Sequence, residues 1–138
     1  MFDHCLYFNT TSLARKLERE WSVAFKEFGL TPSQAFMLRV VLAKPGRHQI
    51  ELAKEMNITK PTASRSLDGL AQLGFIERRG SDKDSRGVQI FPTRQALKIS
   101  DELNAASGEV TKKFKLLLGG DEFGEIVSRL QKISSAIG

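Results

Sequence analysis

Residues 62–93 read TASRSLDGLAQLGFIERRGSDKDSRGVQIFPT, and their pattern changes period part-way. Ala63, Leu67, Leu70 and Leu73 recur at the three- and four-residue spacing of a helix face, which Gly74 ends. Phe75 to Arg79 and Val88 to Phe91 then form two short runs rich in β-branched and aromatic residues, joined by the polar, turn-forming segment from Gly80 to Gly87. The stretch therefore predicts a helix followed by a β-hairpin with a long charged tip.

Working upstream, Thr59 caps the helix and Pro61 sits in its first turn, where a missing N–H is tolerated. A short helix from about Gln49 to Met56 is expected to bury Ile50 and Ala53, with Leu52 and Met56 beside them, and to end at Asn57. Two helices across a turn of about three residues form the helix-turn-helix pattern. Before it, Lys44-Pro45-Gly46 stops a helix that starts at Thr31-Pro32-Ser33-Gln34, an N-cap, a first-turn Pro and a capping-box Gln. Further back, Leu13, Leu17, Trp21, Ala24, Phe25 and Phe28 mark an amphipathic helix that Gly29 terminates.

Downstream, Thr93 caps a long helix with expected buried positions at Leu97, Leu103, Ala106, Val110, Phe114, Leu117 and Leu118. Gly119-Gly120 interrupts it, and Asp121 is expected to cap a last helix carrying Phe123, Ile126, Val127, Leu130, Ile133 and Ile137. The fold class is mainly α with a small β-hairpin wing.

The 138 residues are 41% hydrophobic, enough for one domain with a core, and carry a net charge of +5. That charge is unevenly placed. Residues 47–98 hold 10 Lys and Arg against 6 Asp and Glu, whereas residues 1–46 hold 6 against 4 and residues 99–138 hold 5 against 6. A basic excess in the segment with the helix-turn-helix points to a polyanion partner. On the recognition helix, Thr59, Lys60, Thr62, Ser64 and Arg65 face outward near the N-terminal end, with Asp68 beyond them. This end of such a helix lies nearest the base edges of a major groove, where Arg pairs with guanine and Thr or Ser donates or accepts. Arg78, Arg79, Lys83 and Arg86 add charge along the hairpin, and Asp84 is placed to orient Arg86.

These residues resemble the MarR-type winged-helix transcriptional regulators. The resemblance rests on the recognition helix, the Leu-x-x-x-Gly-hydrophobic-hydrophobic-x-Arg junction from Leu70 to Arg78, and the Asp-x-Arg wing motif at Asp84, Ser85 and Arg86. It implies one MarR-type domain over residues 1–138, with a winged helix-turn-helix at about 31–98 and dimerisation helices at about 5–28 and 99–138. It also implies a homodimer on a pseudo-palindromic operator in double-stranded DNA, with Arg86 inserted in the minor groove and Asp84 orienting it. Pro92 and Ala96 depart from the usual Leu and Gly after the wing. The bulky Trp21, Phe25, Phe114 and Phe123 independently favour a second subunit as cover, being more apolar surface than a small winged helix hides.

The expectation is a repressor whose DNA affinity is modulated by a small-molecule effector held between the dimerisation helices and the winged helix, with Trp21, Phe25, Arg39 and Phe114 as pocket residues. An alternative is one-cysteine peroxide sensing at Cys5, which resembles the organic-peroxide sensors of the same family, although Arg19 and Pro32 stand near where those sensors carry tyrosines. Another is a winged-helix module that binds protein. No catalytic set, cofactor or metal site is expected. His4 and His48 match no ligand spacing, and Asp82-x-Asp84 lacks the later ligands of a calcium loop. Gly119 to Phe123 spell GGDEF, the diguanylate cyclase signature, but both flanks follow a helical period rather than a hairpin. A single cysteine, short apolar runs and an N-terminus unlike a signal peptide lead to the expectation of a cytoplasmic protein free of membrane.

Overall fold

The computed structural model describes residues 1–80 and 87–138. Helix α1 (Leu6–Phe25) leads through a 3-10 turn (Lys26–Phe28) to α2 (Pro32–Ala43). Strand β1 (Arg47–His48), α3 (Gln49–Glu55) and α4 (Lys60–Gln72) follow. Strands β2 (Ile76–Arg79) and β3 (Gln89–Pro92) precede α5 (Arg94–Leu118) and α6 (Gly120–Ile137).

The punctuation residues act as their chemistry requires. Gly29 and Gly74 take φ values of 69° and 82°, the left-handed conformation that closes a helix without a Cβ penalty. Thr31 accepts a hydrogen bond from the Gln34 N–H while the Gln34 side chain accepts from the Thr31 N–H, completing a capping box. Thr93 accepts from the Ala96 N–H and donates to the Gly74 carbonyl at 2.6 Å, so one hydroxyl starts α5 and pins it to the end of α4. Pro92 closes β3 opposite Ile76, and Ala96 is fully buried, so neither departure disturbs the entry into α5.

The core lies where α2, α3, α4, the sheet and the first half of α5 converge. Phe25, Met37, Leu38, Leu52, Leu67, Leu70, Ile90 and Leu103 are fully buried there. Several expectations fail at its edges. On α3 Leu52 and Ala53 are buried as expected, whereas Ile50 is only partly buried. Leu73 is exposed, since it stands at the C-cap where α4 has already left the core. On α5 the inward line is Ala96, Leu103 and Ser107, and Leu97, Leu117 and Leu118 face outward. Asp121 does not cap α6. Gly119, in an extended left-hand conformation (φ 89°, ψ 144°), precedes it and Asp121 lies in the first turn.

The sheet has three strands rather than a bare hairpin, in the antiparallel order β1-β3-β2. Helix α1 also begins a turn and more before its apolar period becomes evident at Leu13. In the single chain α6 buries no residue, and Leu6, Tyr7, Leu116, Leu117, Leu130 and Ile137 are exposed along α1, α5 and α6. No described helix is long and apolar enough to cross a membrane.

Candidate nucleic-acid interface

Helix α4 is held in place from behind. Ser66 is buried and its hydroxyl lies 3.2 Å from that of Ser33 on α2. At Gly69 an added Cβ would stand 2.6 Å from the Gln34 side-chain nitrogen, so glycine lets α4 approach the start of α2. With that face anchored, the N-terminal turns project from the molecule. Thr59 accepts from the Thr62 N–H at 3.4 Å, and the two hydroxyls lie 2.9 Å apart. Arg65 reaches back to the Thr62 hydroxyl at 3.5 Å.

Lys60 and Arg65 are exposed, whereas Thr62 and Ser64 are half-buried rather than fully outward. Ser64 and Lys60 border a small cavity of about 280 Å³ shared with Gln49 and Ile50 of α3. The helix N-terminus adds its own partial positive charge to this surface.

The basic residues of β2 are partly neutralised. Arg78 donates to Asp68 of α4 at 2.7 Å, a contact that ties the wing strand to the recognition helix. Arg79 pairs with Glu77 and its guanidinium lies 4.2 Å from the centre of the Phe91 ring. Such partly exposed pairs stabilise by only about 0 to 1 kcal/mol, so they can open to phosphate. Lys83, Asp84 and Arg86 lie outside the described residues. At the base of the wing Gly80 has φ 134°, and a Cβ on it would stand 2.3 Å from the Gly87 carbonyl oxygen.

His48 pairs the wing to α3, with its backbone N–H donating to Glu51 and its Nδ1 3.1 Å from the Val88 carbonyl oxygen.

Of the four residues expected to line an effector pocket, Trp21, Arg39 and Phe114 meet around Ser107, and Phe25 lies in the core. Trp21 stacks on Phe114, with ring centres 5.9 Å apart and planes within 3°. Its indole N–H donates to the Ser107 hydroxyl at 3.2 Å, and Arg39 donates to the same oxygen at 2.9 Å and to Asn104 at 2.8 Å. Ser107 thus joins α1, α2 and α5. Nothing in its sequence context flags it beyond a small polar residue on the apolar line of a helix. Burial lowers the pKa of the Arg39 guanidinium from its usual value. Phe25 is fully buried, edge-on to Phe36, and lines no described cavity; nor does Phe114.

An apolar cavity of about 440 Å³ does open between α1 and α2, with Trp21, Leu17, Ala14, Pro32, Phe36 and Met56 on its walls. A second, of about 380 Å³, lies on the other side of Phe36 and includes Arg39. Cys5 is the exposed N-cap of α1, its Sγ accepting from the Phe8 N–H at 3.5 Å. Gly119 to Phe123 span the joint between α5 and α6, with no hairpin, which removes the cyclase reading. No group of residues suited to a metal ion occurs among the described residues.

With the winged helix and its flanking helices laid out, residues 28–87 match the model of the MarR family, from the end of the 3-10 turn to the far side of the wing. The winged-helix part of this chain is similar to the MarR family, over 60 of its 138 residues. Two relatives are similar over much the same stretch. The chain is 29% identical over 87 residues to the uncharacterised HTH-type transcriptional regulator YybA of Bacillus subtilis, covering 63% of this chain and 58% of that protein. It is 32% identical over 93 residues to the HTH-type transcriptional repressor YetL of Bacillus subtilis, covering 65% and 55%. The aligned stretch therefore spans little more than half of either relative. Among solved structures, the S. aureus MepR–DNA complex matches with a TM-score of 0.86 at 20% identity, over 99% of this chain and all of MepR. A MarR-type fold thus extends beyond the family match into α1, α5 and α6.

Proposed function

We propose that this protein is a MarR-type transcriptional regulator that binds double-stranded DNA sequence-specifically, as a homodimer on a pseudo-palindromic operator, and acts as a repressor. The observation that carries this is α4, anchored from behind through Ser66 and Gly69 while its N-terminal turns present Thr59, Lys60 and Arg65 outward, with Thr62 and Ser64 half-exposed beside them. Major-groove reading requires that arrangement. The solved MepR structure with the same fold holds DNA, and the relative YetL is a repressor. Arg78 and Arg79 would exchange their carboxylate partners for phosphate, and Lys83 and Arg86 at the wing tip would reach the adjacent minor groove with Asp84 steadying Arg86. The apolar faces left by α1, α5 and α6 would pair with those of a second copy, placing two recognition helices about 34 to 36 Å apart. The cavity beside Trp21, between α1 and the winged helix, is the place for an effector. A DNA partner makes the cytoplasm its compartment.

Titrating promoter fragments across salt tests the proposal. The logarithm of affinity is expected to fall linearly with that of salt concentration, with a slope of about −0.9 per phosphate contacted. Absence of duplex binding at low salt would sink it. At Arg65, replacement by alanine is expected to weaken operator binding by about 1 to 3 kcal/mol while leaving random DNA nearly unaffected. Equal losses on both would remove Arg65 from base reading.

A further inference from the structure

The outer face of the wing sheet carries an arginine braced by an aromatic ring. In the antiparallel register Glu77 stands opposite Phe91 and Arg79 opposite Gln89, so Arg79 lies diagonally across from Phe91 on the same face. Its guanidinium carbon sits 4.2 Å from the centre of the Phe91 ring, while Nε and Nη2 donate to one oxygen of Glu77. Arg78, between Glu77 and Arg79, falls on the other face and reaches Asp68 of α4.

The ring is itself fixed from behind. A Cβ on Gly46 would stand 3.3 Å from the Phe91 Cε1, so glycine lets the ring close against the backbone there. Gly46 is held in turn, its N–H donating to the Ile90 carbonyl at 2.8 Å and its carbonyl accepting from the Gln89 Nε2 at 3.1 Å. An arginine laid over an aromatic face keeps its charge and its donors but has already given up rotamer freedom, so less is lost when it binds. Arg79 is also the last residue of β2, at the root of the wing. A wing that enters a minor groove must cross the sugar-phosphate strand bordering that groove, so its root meets phosphate rather than base edges. Glu77 is a partly exposed partner, which holds the fork weakly and yields to a phosphate.

We propose that Phe91 is a positioning residue for DNA binding: it holds the Arg79 guanidinium in place for one backbone phosphate, and Glu77 occupies the fork until the phosphate replaces it. This rests on the DNA-binding reading above. The probe is a mixed-sequence DNA duplex of about 20 base pairs, two helical turns, because a phosphate contact does not depend on sequence. Fluorescence anisotropy with the full chain, across a salt series, would compare the wild type, Phe91→Leu, Arg79→Gln and the double variant. Arg79→Gln is expected to weaken binding about tenfold and to reduce the steepness of log affinity against log salt by about 0.9. Phe91→Leu should weaken binding about threefold with that slope unchanged, and should add nothing once Arg79 is gone. An equal loss in both backgrounds, which a merely structural ring would give, would overturn the proposal. So would no loss in either, or a slope that Arg79→Gln leaves unaltered. Nitrogen–proton NMR on the unaltered protein guards against a misfolded variant. The Arg79 Nε–H should show contacts to the Phe91 ring protons both free and in the saturated complex, and their disappearance on binding would likewise overturn it. A wild type that binds no duplex at low salt would overturn the DNA-binding reading and this proposal with it, whereas binding without the coupling would remove only the role of Phe91.

Discussion

If the proposed homodimer forms through α6, placing glutamate at both Leu130 and Ile133 is expected to yield a monomer and to lower operator affinity by at least about a hundredfold. Both side chains are exposed on α6, a helix that buries nothing in the single chain although Phe123, Ile126, Val127 and Ile137 share it. A helix with that much apolar surface and no cover is stable only against a partner. Charges introduced at the centre of such an interface would be desolvated without partners, which costs more than the interface returns. The monomer keeps one recognition helix and reads one half-site, so its affinity should approach the nonspecific range, typically a thousandfold or more weaker than specific binding. Sedimentation equilibrium would report the oligomer and fluorescence anisotropy the affinity. The core around Leu38, Leu67 and Leu103 lies elsewhere, so helical circular dichroism should persist. A variant that stays dimeric, or a monomer with undiminished operator affinity, would refute the arrangement.

The second large effect is expected at Gly80→Ala. Its φ of 134° is one that residues with a Cβ rarely adopt, and the Cβ itself would meet the Gly87 carbonyl oxygen at 2.3 Å, well inside contact distance. The obstacle is backbone, so no side-chain rotation relieves it. The cost is expected to be about 1 to 3 kcal/mol, taken up by splaying the two wing strands at their open end. Because the wing extends from that base, operator affinity should fall at least about tenfold while α4 remains in place. Denaturant titration would measure the stability change and anisotropy the binding. If affinity is unaltered although stability drops, the wing is not a DNA-contacting element.

Much of this molecule is legible in its sequence because its boundaries depend on local chemistry. Thr31, Thr59 and Thr93 cap helices and Gly29 and Gly74 end them, and each capping bond or left-handed turn lies within four residues of the residue that makes it. Features set by distant packing are harder to read. Strand β1 has two residues, too few for any period, and exists because β3 supplies its partners at Ile90 and Gln89. Leu97, Leu117 and Leu118 keep helical spacing yet are exposed: Leu97 follows the buried Ala96 around the helix, and Leu117 and Leu118 lie beyond Ser107, the last buried residue of α5. The spacing of the recognition residues puts them on one outward face, and the partial burial of Ser64 reflects Gln49 and Ile50 of α3 across a small cavity. Periodicity says which residues share a face, not what that face meets. By that spacing Phe25 shares a face with Trp21, yet Phe25 is core, and it is Phe36 of α2 that walls the cavities.

The bond from Trp21 to Ser107 has a practical side. Trp21 is the only tryptophan in the chain, and its indole N–H ends on the hydroxyl that also receives Arg39. Indole emission responds to that hydrogen bond and to the polarity around the ring. The protein therefore carries a built-in, label-free optical reporter at the point where three helices meet, and any event that shifts α2 against α5 should change its colour or brightness.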